Sequence, residues 1–339
     1  MKILVGLSGG VDSAAAAKIL LDKGHTVEGA TLVMHEYTEL DAARRVADSV
    51  GIPLHVIDCR TDFDKYVRAN LVAEYRAGRT PNPCIVCNAT VKFPMLAAYA
   101  REHGFDAIAT GHYARTVTIG DRTAVAMASD PKKDQSYMLY RLPEDVLRML
   151  VLPLADLTKP EIRAYAASAG IPVADKADSL EICFLPDGDH AGYIESVAGK
   201  SPEGDFVDKN GKALGRHGGI TRYTVGQRKG LGVSLGARAF VADIDPVTNR
   251  ITLSTEPSKH RFIRITDTVF SGISEPKPGL VLSVSVKVRY AAPPQPAKFI
   301  YLGEGIAELE FDSPLTAAPG QSAVAYLDGT VILGGFIDR

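Results

Sequence analysis

The first thirteen residues restrict the chain to one local arrangement. Residues 3–7 (I-L-V-G-L) form a short apolar run with the character of a buried strand. The run breaks at Ser8-Gly9-Gly10. Helical spacing then starts near Asp12 and runs through Ala17, Leu20 and Leu21 to Gly24. Strand, glycine turn and helix in that order direct backbone N–H groups and a helix N-terminus at one point, a layout suited to an anion. The two glycines let backbone come close to phosphate oxygens, and Ser8 and Ser13 add hydroxyl donors. Asp12 is the odd member, because a carboxylate repels phosphate unless a metal stands between them. A role in holding Mg²⁺ or orienting pyrophosphate fits it. Gly-Gly alone would favour a turn with no ligand; the whole string from Ser8 to Ser13 favours a bound phosphate. No lysine follows the glycines, so the loop is not of the G-x-x-x-x-G-K-S/T kind.

The rest of the N-terminal half continues the alternation. Strands are predicted over 27–34 and 54–57, and helices over 40–50 and 63–75, the helices closing at Gly51 and Gly78. Such βα repeats make a parallel sheet flanked by helices, with ligands at the carboxyl ends of the strands. The rhythm breaks at R-T-P-N-P-C-I-V-C-N (79–88), where two prolines predict a stiff loop presenting Cys84 and Cys87. A helix over 91–103, a strand over 107–110, a hairpin over 117–127 and a polar loop over 132–137 follow. Thr158-Lys159-Pro160-Glu161 is a capping box that opens a helix closing at Gly170. From about Gly204 onward, short β-branched runs alternate with Gly, Pro and Asp turns, which predicts an all-β half. The expected division is a catalytic domain over 1–200, a small central β-rich domain over 201–260 and a C-terminal β-barrel over 261–339.

With 339 residues, the chain is long enough for two or three domains. No apolar run reaches the length of a membrane span, and the opening strand leaves no room for a signal peptide, so a cytoplasmic protein with no membrane partner is expected. A net charge of −2 means that any nucleic-acid partner must meet a local basic face. Arg216, His217, Arg222, Lys259, His260, Arg261 and Arg264 are scattered through the β half. Gly226-Gln227-Arg228-Lys229-Gly230 is a glycine-framed basic tip suited to phosphate contact, although charge on a β-domain commonly serves solubility alone.

The four cysteines are Cys59, Cys84, Cys87 and Cys183. In a reducing compartment, metal or catalytic use is the better expectation than a disulfide framework. Cys84-x-x-Cys87 with Cys183 leaves three uses open. One is a Cys₃His zinc site completed by His112. Another is a [4Fe–4S] cluster with one free iron. The third is persulfide chemistry, in which one thiol carries sulfur and another resolves it as a disulfide. Cys59 reads as a small apolar residue.

The string S-G-G-V-D-S resembles the loop of the PP-loop ATP pyrophosphatases, which cut ATP between its α- and β-phosphates. Taken with R-T-P-N-P-C-I-V-C-N, G-H-Y-A-R, K-D-Q-S-Y, E-I-C-F, T-V-G-Q-R-K-G-L-G, V-R-Y and P-G-Q, it makes nearly the whole chain similar to the tRNA-specific 2-thiouridylases of that superfamily. The resemblance implies an α/β PP-loop domain followed by a small β-rich domain and a β-barrel. It implies ATP-dependent adenylation of the oxygen on carbon 2 of a wobble uridine in tRNA, then sulfur transfer. ATP with Mg²⁺ is the implied cofactor, and an upstream persulfide donor (a cysteine desulfurase or a sulfur relay protein) the implied partner. Carried over by motif, Gly6, Leu7, Ser8, Gly9, Gly10, Val11, Asp12 and Ser13 would bind ATP, with Leu32 and Gly111 at the adenosine. Cys87 stands at the nucleophile position and Cys183 at the persulfide position. His112, Lys133, Asp134, Gln135, Arg289, Tyr290 and Gln321 would face tRNA. Cys84 departs from the aspartate common in the family, which keeps the cluster of Cys84, Cys87 and Cys183 as an alternative route. The 34–41 segment is shorter than usual. The rival readings are a PP-loop ligase acting on a small metabolite, which would not need three placed cysteines, and a non-catalytic tRNA-binding or sulfur-carrier protein, which would not need Ser8, Asp12 and Ser13.

Overall fold

The computed structural model describes residues 1–172, 182–185, 187–233 and 238–338. The segment 178–181, which includes Glu181 of E-I-C-F, lies outside the described residues. Among the described residues, five parallel strands form one sheet in the order Leu54–Asp58, Thr26–Val33, Lys2–Gly6, Ala107–Ala109, Leu150–Val151. The chain moves outward in one direction from Lys2–Gly6 and then returns to its other side at Ala107–Ala109. That reversal opens a crevice at the carboxyl ends of these two strands. The first strand is wholly buried at Ile3, Leu4 and Val5, as a strand covered on both faces must be.

The helices Val11–Asp22 and Leu40–Val50 form where the spacing predicts them. The capping box is present at Thr158 and Glu161 and opens the helix Lys159–Ser168. Gly51 closes its helix in the left-handed conformation, with φ of 76°, which glycine adopts without a Cβ penalty.

Two expectations are corrected. The 79–88 stretch is not a loop throughout: Pro83–Cys87 is a helical turn that continues through a π turn, Asn88–Lys92, into the helix Phe93–Glu102. Pro83 stands in the first turn, where its missing N–H costs nothing. Asn82 caps the turn, its Oδ1 accepting from the N–H groups of Cys84 and Ile85 at 3.1 and 3.3 Å. Cys84 and Cys87 therefore share one helix face. The 132–137 stretch is not simply a solvated polar loop either. Asp134, Ser136 and Tyr137 are buried, and a short 3₁₀ turn spans Ser136–Leu139.

The C-terminal half is all-β as expected, apart from short turns. A four-stranded sheet occupies Gly204–Val207, Ala213–His217, Phe240–Asp245 and Arg250–Ser254. Beyond it, six strands close into a barrel in the order His260–Phe270, Ile306–Leu315, Gln295–Gly303, Val281–Lys287, Ser322–Leu327, Thr330–Ile337 and back to the first. Closure removes the free edges. The hairpin Arg115–Ile119 and Arg122–Ala126 extends from the N-terminal part and pairs with the barrel at Ala126 and Thr330. The barrel is also tied down by the 132–140 stretch. Tyr137 Oη donates to the Ser322 carbonyl at 2.8 Å, Tyr140 Oη meets Ser322 Oγ at 3.1 Å, and Ser136 Oγ meets Tyr326 Oη at 3.2 Å. Among the described residues, no helix is long and apolar enough to cross a membrane.

Candidate active site

The phosphate loop holds its own shape. Ser13 Oγ donates to the Gly10 carbonyl at 3.0 Å and accepts from the Ser8 N–H at 3.3 Å. Thr31 Oγ1 donates to the Leu7 carbonyl at 3.0 Å, tying the loop to the neighbouring strand. Gly9 has φ of 75°, and a Cβ there would lie 2.6 Å from that of Ala42. Gly10 is the N-cap of the helix Val11–Asp22, and no side chain caps it, so the N–H groups of its first turn remain available to an anion. Leu7 and Val11 send their side chains into the core, and at these two positions only backbone can reach a ligand. Leu32 is buried near the end of the adjacent strand. Gly111 lies against the loop so closely that a Cβ would be 2.6 Å from Asp12 C and Ser13 N.

Asp12 has two partners that its sequence neighbourhood does not reveal. Lys159 Nζ stands 2.8 Å from both carboxylate oxygens, and Tyr113 Oη donates to Oδ1 at 2.7 Å. Tyr113 is fixed in turn by Gln135: the Tyr113 N–H donates to Gln135 Oε1 at 2.9 Å, and the Gln135 N–H donates to the Tyr113 carbonyl at 2.7 Å.

The cysteines lie beyond Gly111. His112, next in sequence, accepts or donates at Nδ1 with Thr110 Oγ1 at 2.9 Å, and its ring sits 5.3 Å from that of Phe93. Burial and the nearby Lys92 charge hold its pKa down to about 3, so it is neutral. Lys92 acts on Cys84, Cys87 and Cys183 as well, favouring their thiolates, while burial pushes all three thiols up, Cys183 to about 11. Each thiolate charge also opposes that of Cys183. Cys84 and Cys183 are open to solvent and Cys87 is buried; protein crowds Cys84 although its surface is accessible. The Cys87 thiol donates to Met34 Sδ at 3.7 Å. Cys59 is buried, and burial pushes its thiol up to about 12, which suits an inert apolar role.

Among the described residues, no three His, Cys, Asp or Glu side chains gather as a metal-holding group. Asp12 is a single carboxylate, the kind of ligand Mg²⁺ takes when it arrives on substrate phosphates.

The residues expected to face tRNA divide into two groups. Arg289 is exposed, and Lys133, Tyr290 and His112 are half-buried. Asp134, by contrast, is buried and accepts from the N–H groups of Ala128 and Ser136 and from Ser136 Oγ, with Lys287 Nζ of the barrel 4.0 Å away. The Gln321 side-chain amide donates to the Thr80 carbonyl at 2.8 Å, bridging barrel and cysteine-bearing segment. Among the scattered cations, Arg216, Arg222 and Arg261 are paired with acids. Arg228 and Lys229 are exposed and form no ion pair among the described residues.

Comparison with known proteins agrees along the whole chain. Residues 1–187 match the family model described as "tRNA methyl transferase HUP domain", 191–255 the "tRNA methyl transferase PRC-barrel domain" and 261–337 the "Aminomethyltransferase beta-barrel domain". A protein of Geotalea uraniireducens named tRNA-specific 2-thiouridylase MnmA is 39% identical over 358 residues, covering 100% of this chain and 95% of its own length. Proteins of the same name from Clostridium botulinum (strain Alaska E43) and Clostridium acetobutylicum are 40% and 38% identical, each covering 99% of this chain and 97% and 99% of their own lengths. The model descriptions speak of methyl transfer, whereas these full-length relatives carry the thiolation name. The phosphate loop, the cysteine-bearing helix and the full-length identity agree: the chain belongs to the MnmA family of tRNA-specific 2-thiouridylases.

Proposed function

We propose that this chain is an ATP-dependent tRNA-uridine 2-sulfurtransferase acting on a wobble uridine. One observation carries the reading beyond family membership. A run of neighbouring residues leads from the phosphate loop toward the cysteines: Gly111 packs on the Asp12–Ser13 backbone, the ring of His112 lies 5.3 Å from that of Phe93, and Phe93 follows Lys92, whose charge bears on Cys84, Cys87 and Cys183. Adenylation and sulfur transfer need those two centres side by side.

In this reading the oxygen on carbon 2 of the base attacks the α-phosphorus of ATP, and pyrophosphate leaves. The outer sulfur of a Cys183 persulfide then attacks carbon 2, AMP departs, and the base is joined to Cys183 through an S–S bond. The Cys87 thiolate attacks the Cys183 sulfur. This releases the 2-thiouridine and leaves a Cys87–Cys183 disulfide, which an external thiol reductant must reopen before a cysteine desulfurase or relay protein reloads Cys183. Asp12 would hold Mg²⁺, which would neutralise phosphate charge when bound. Arg289, Tyr290, Lys133, His112, Gln321 and the Arg228–Lys229 tip contact tRNA, while Asp134 and Gln135 act by fixing the loop that carries Lys133. Residues 1–200 form the catalytic unit, 201–260 the central module and 261–339 the barrel. Reducing cytoplasm is the setting that keeps the three thiols available.

The test is to incubate the protein aerobically with ATP, Mg²⁺, tRNA and a persulfide donor. AMP release should match the appearance of 2-thiouridine by nucleoside mass spectrometry. AMP without thiolated tRNA would point to the ligase reading, and tRNA binding without AMP to the carrier reading. Cys84→Ala should retain activity under these conditions. Its loss together with loss of bound iron would replace the persulfide route with the cluster route.

A further inference from the structure

The cysteine-bearing helix is entered through a short, stiff segment, Thr80-Pro81-Asn82-Pro83. Proline fixes φ at 81 and 83, and confines the residue before each of them to extended backbone. Asn82 conforms, with φ of −109° and ψ of 97°. Pro81 and Pro83 are also buried. A displacement at Thr80 therefore has little room to be absorbed along the segment. It reaches the Asn82 cap, and with it Cys84 and Cys87.

Thr80 is held from two sides by the β half. The barrel takes its main chain: the Thr80 N–H donates to the Pro319 carbonyl at 2.8 Å, and the Gln321 side-chain amide donates to the Thr80 carbonyl at 2.8 Å. The turn that does this is itself fastened to the last barrel strand. Gly320 N–H donates to the Ile337 carbonyl at 2.9 Å, and Ile337 N–H donates to the Gln321 carbonyl at 2.8 Å. The approach is close. Gly320 has φ of 87°, and a Cβ there would lie 2.9 Å from both Arg79 Cβ and Thr80 N. The central module takes the side chain, Thr80 Oγ1 donating to Thr224 Oγ1 at 3.3 Å. Thr224 also shares a hydrogen bond with the buried Tyr75. It opens the loop that carries the Arg228–Lys229 tip, and Gln227 ties the two together. Gln227 Oε1 accepts from the Thr224 N–H and its Nε2 donates to the Lys229 carbonyl, both at 3.0 Å.

Adhesion between the barrel and the N-terminal part is already supplied by Tyr137 and Tyr140 at Ser322. It does not require bonds from both β modules to converge on one residue four positions ahead of Cys84. We propose that Thr80 is a positioning residue for sulfur transfer, through which the two β modules set the place of the Cys84–Cys87 turn. The proposal rests on the thiolation reading above. Adenylation takes place at the phosphate loop and does not pass through this segment, so the two half-reactions should separate.

The test uses the full chain with a persulfide loaded on Cys183, ATP, Mg²⁺ and saturating tRNA, in a single turnover. Pyrophosphate release reports adenylation, and nucleoside mass spectrometry of 2-thiouridine reports transfer. Thr80→Val keeps the branched shape but removes Oγ1. Transfer should slow about 2- to 10-fold, the range of one hydrogen bond. Gly320→Ala drives a methyl into the segment and should slow transfer about 10- to 100-fold, as a misplacement of roughly 1 Å does. In both variants pyrophosphate should appear at the parent rate. Thr80→Ser keeps the hydroxyl and should recover the parent transfer rate. Parent transfer rates in both variants, equal slowing of the two steps, or a Thr80→Ser protein as slow as Thr80→Val would each overturn the assignment. Thermal melts identify a Gly320→Ala protein that fails to fold, and the Thr80→Val and Thr80→Ser pair then decides. If the unaltered protein forms no 2-thiouridine, the thiolation reading itself fails.

Discussion

The helices Val11–Asp22 and Pro83–Cys87 begin in opposite ways. The first starts at Gly10 without a side-chain cap; the second starts at Asn82, whose carbonyl oxygen takes two of the free N–H groups. An uncapped start leaves donors for a ligand, so the backbone of the first helix is its functional part. A capped start has no donors to spare at those positions. What it offers is rigidity, and the side chains one turn apart, Cys84 and Cys87, become the functional part. The same local element thus serves a phosphate with its main chain in one place and sulfur chemistry with its side chains in the other.

The largest expected effect is at the uncapped start. Gly9→Ala puts a methyl 2.6 Å from Ala42 Cβ at a φ of 75°. The loop must shift, at about 1–3 kcal/mol of backbone strain. ATP affinity should fall about 5- to 100-fold as the bound loop takes up that strain, while a persulfide loaded on Cys183 should form as in the parent. Calorimetry with ATP and mass spectrometry of the loaded protein check the two halves. Loss of both together would mean that the two helix starts are not separable.

Asn82→Ala should have the complementary, smaller effect. Removing a cap costs about 0.5–2 kcal/mol, read as a lower urea midpoint with an unchanged slope. Sulfur transfer in single turnover should slow, because Cys84 and Cys87 lose their fixed turn, while ATP affinity stays at the parent value. Equal losses in ATP binding and sulfur transfer would contradict the division of labour.

Both starts differ in how plainly the sequence announces them. Ser8 to Ser13 is legible because its signals are local: a strand, two glycines and hydroxyls within six positions. The capping box at Thr158 and Glu161 is legible for the same reason. The cysteine helix is misread because Pro81 and Pro83 signal a break, whereas Pro83 behind an Asn cap marks a start; N-P followed by apolar residues was the available clue. Tyr113 and Lys159 reach Asp12 across 101 and 147 residues, and no spacing rule spans such distances. Asp134 misleads in the other direction. It stands in a polar loop and the resemblance turns it toward tRNA, yet it is buried and Lys287 of the barrel comes within 4.0 Å. The site is therefore legible where one turn makes it and illegible where the fold brings separate turns together.

The smallest expected effect is also the most selective, because it changes charge without removing the cap. Asn82→Asp keeps an oxygen that can accept from the Cys84 and Ile85 N–H groups, and aspartate caps as well as asparagine. It gives up only a contact from Nδ2 to Met138 Sδ at 3.5 Å, a weak acceptor. Stability should therefore move by no more than about 0.5 kcal/mol. The new negative charge, however, stands beside thiols whose pKa values burial already raises. A like charge disfavours the thiolate, so the pKa of Cys84 should rise further. Because the thiolate is the reactive form, alkylation of Cys84 by iodoacetamide at fixed pH should slow, and its pH–rate curve should move toward alkaline pH. Peptide mass spectrometry across a pH series measures this directly, and ATP affinity serves as the control. An unmoved curve with intact stability would show that Cys84 does not feel the charge of the cap. The capped start would then be a purely geometric support, and Lys92 the nearer electrostatic influence on the cysteine.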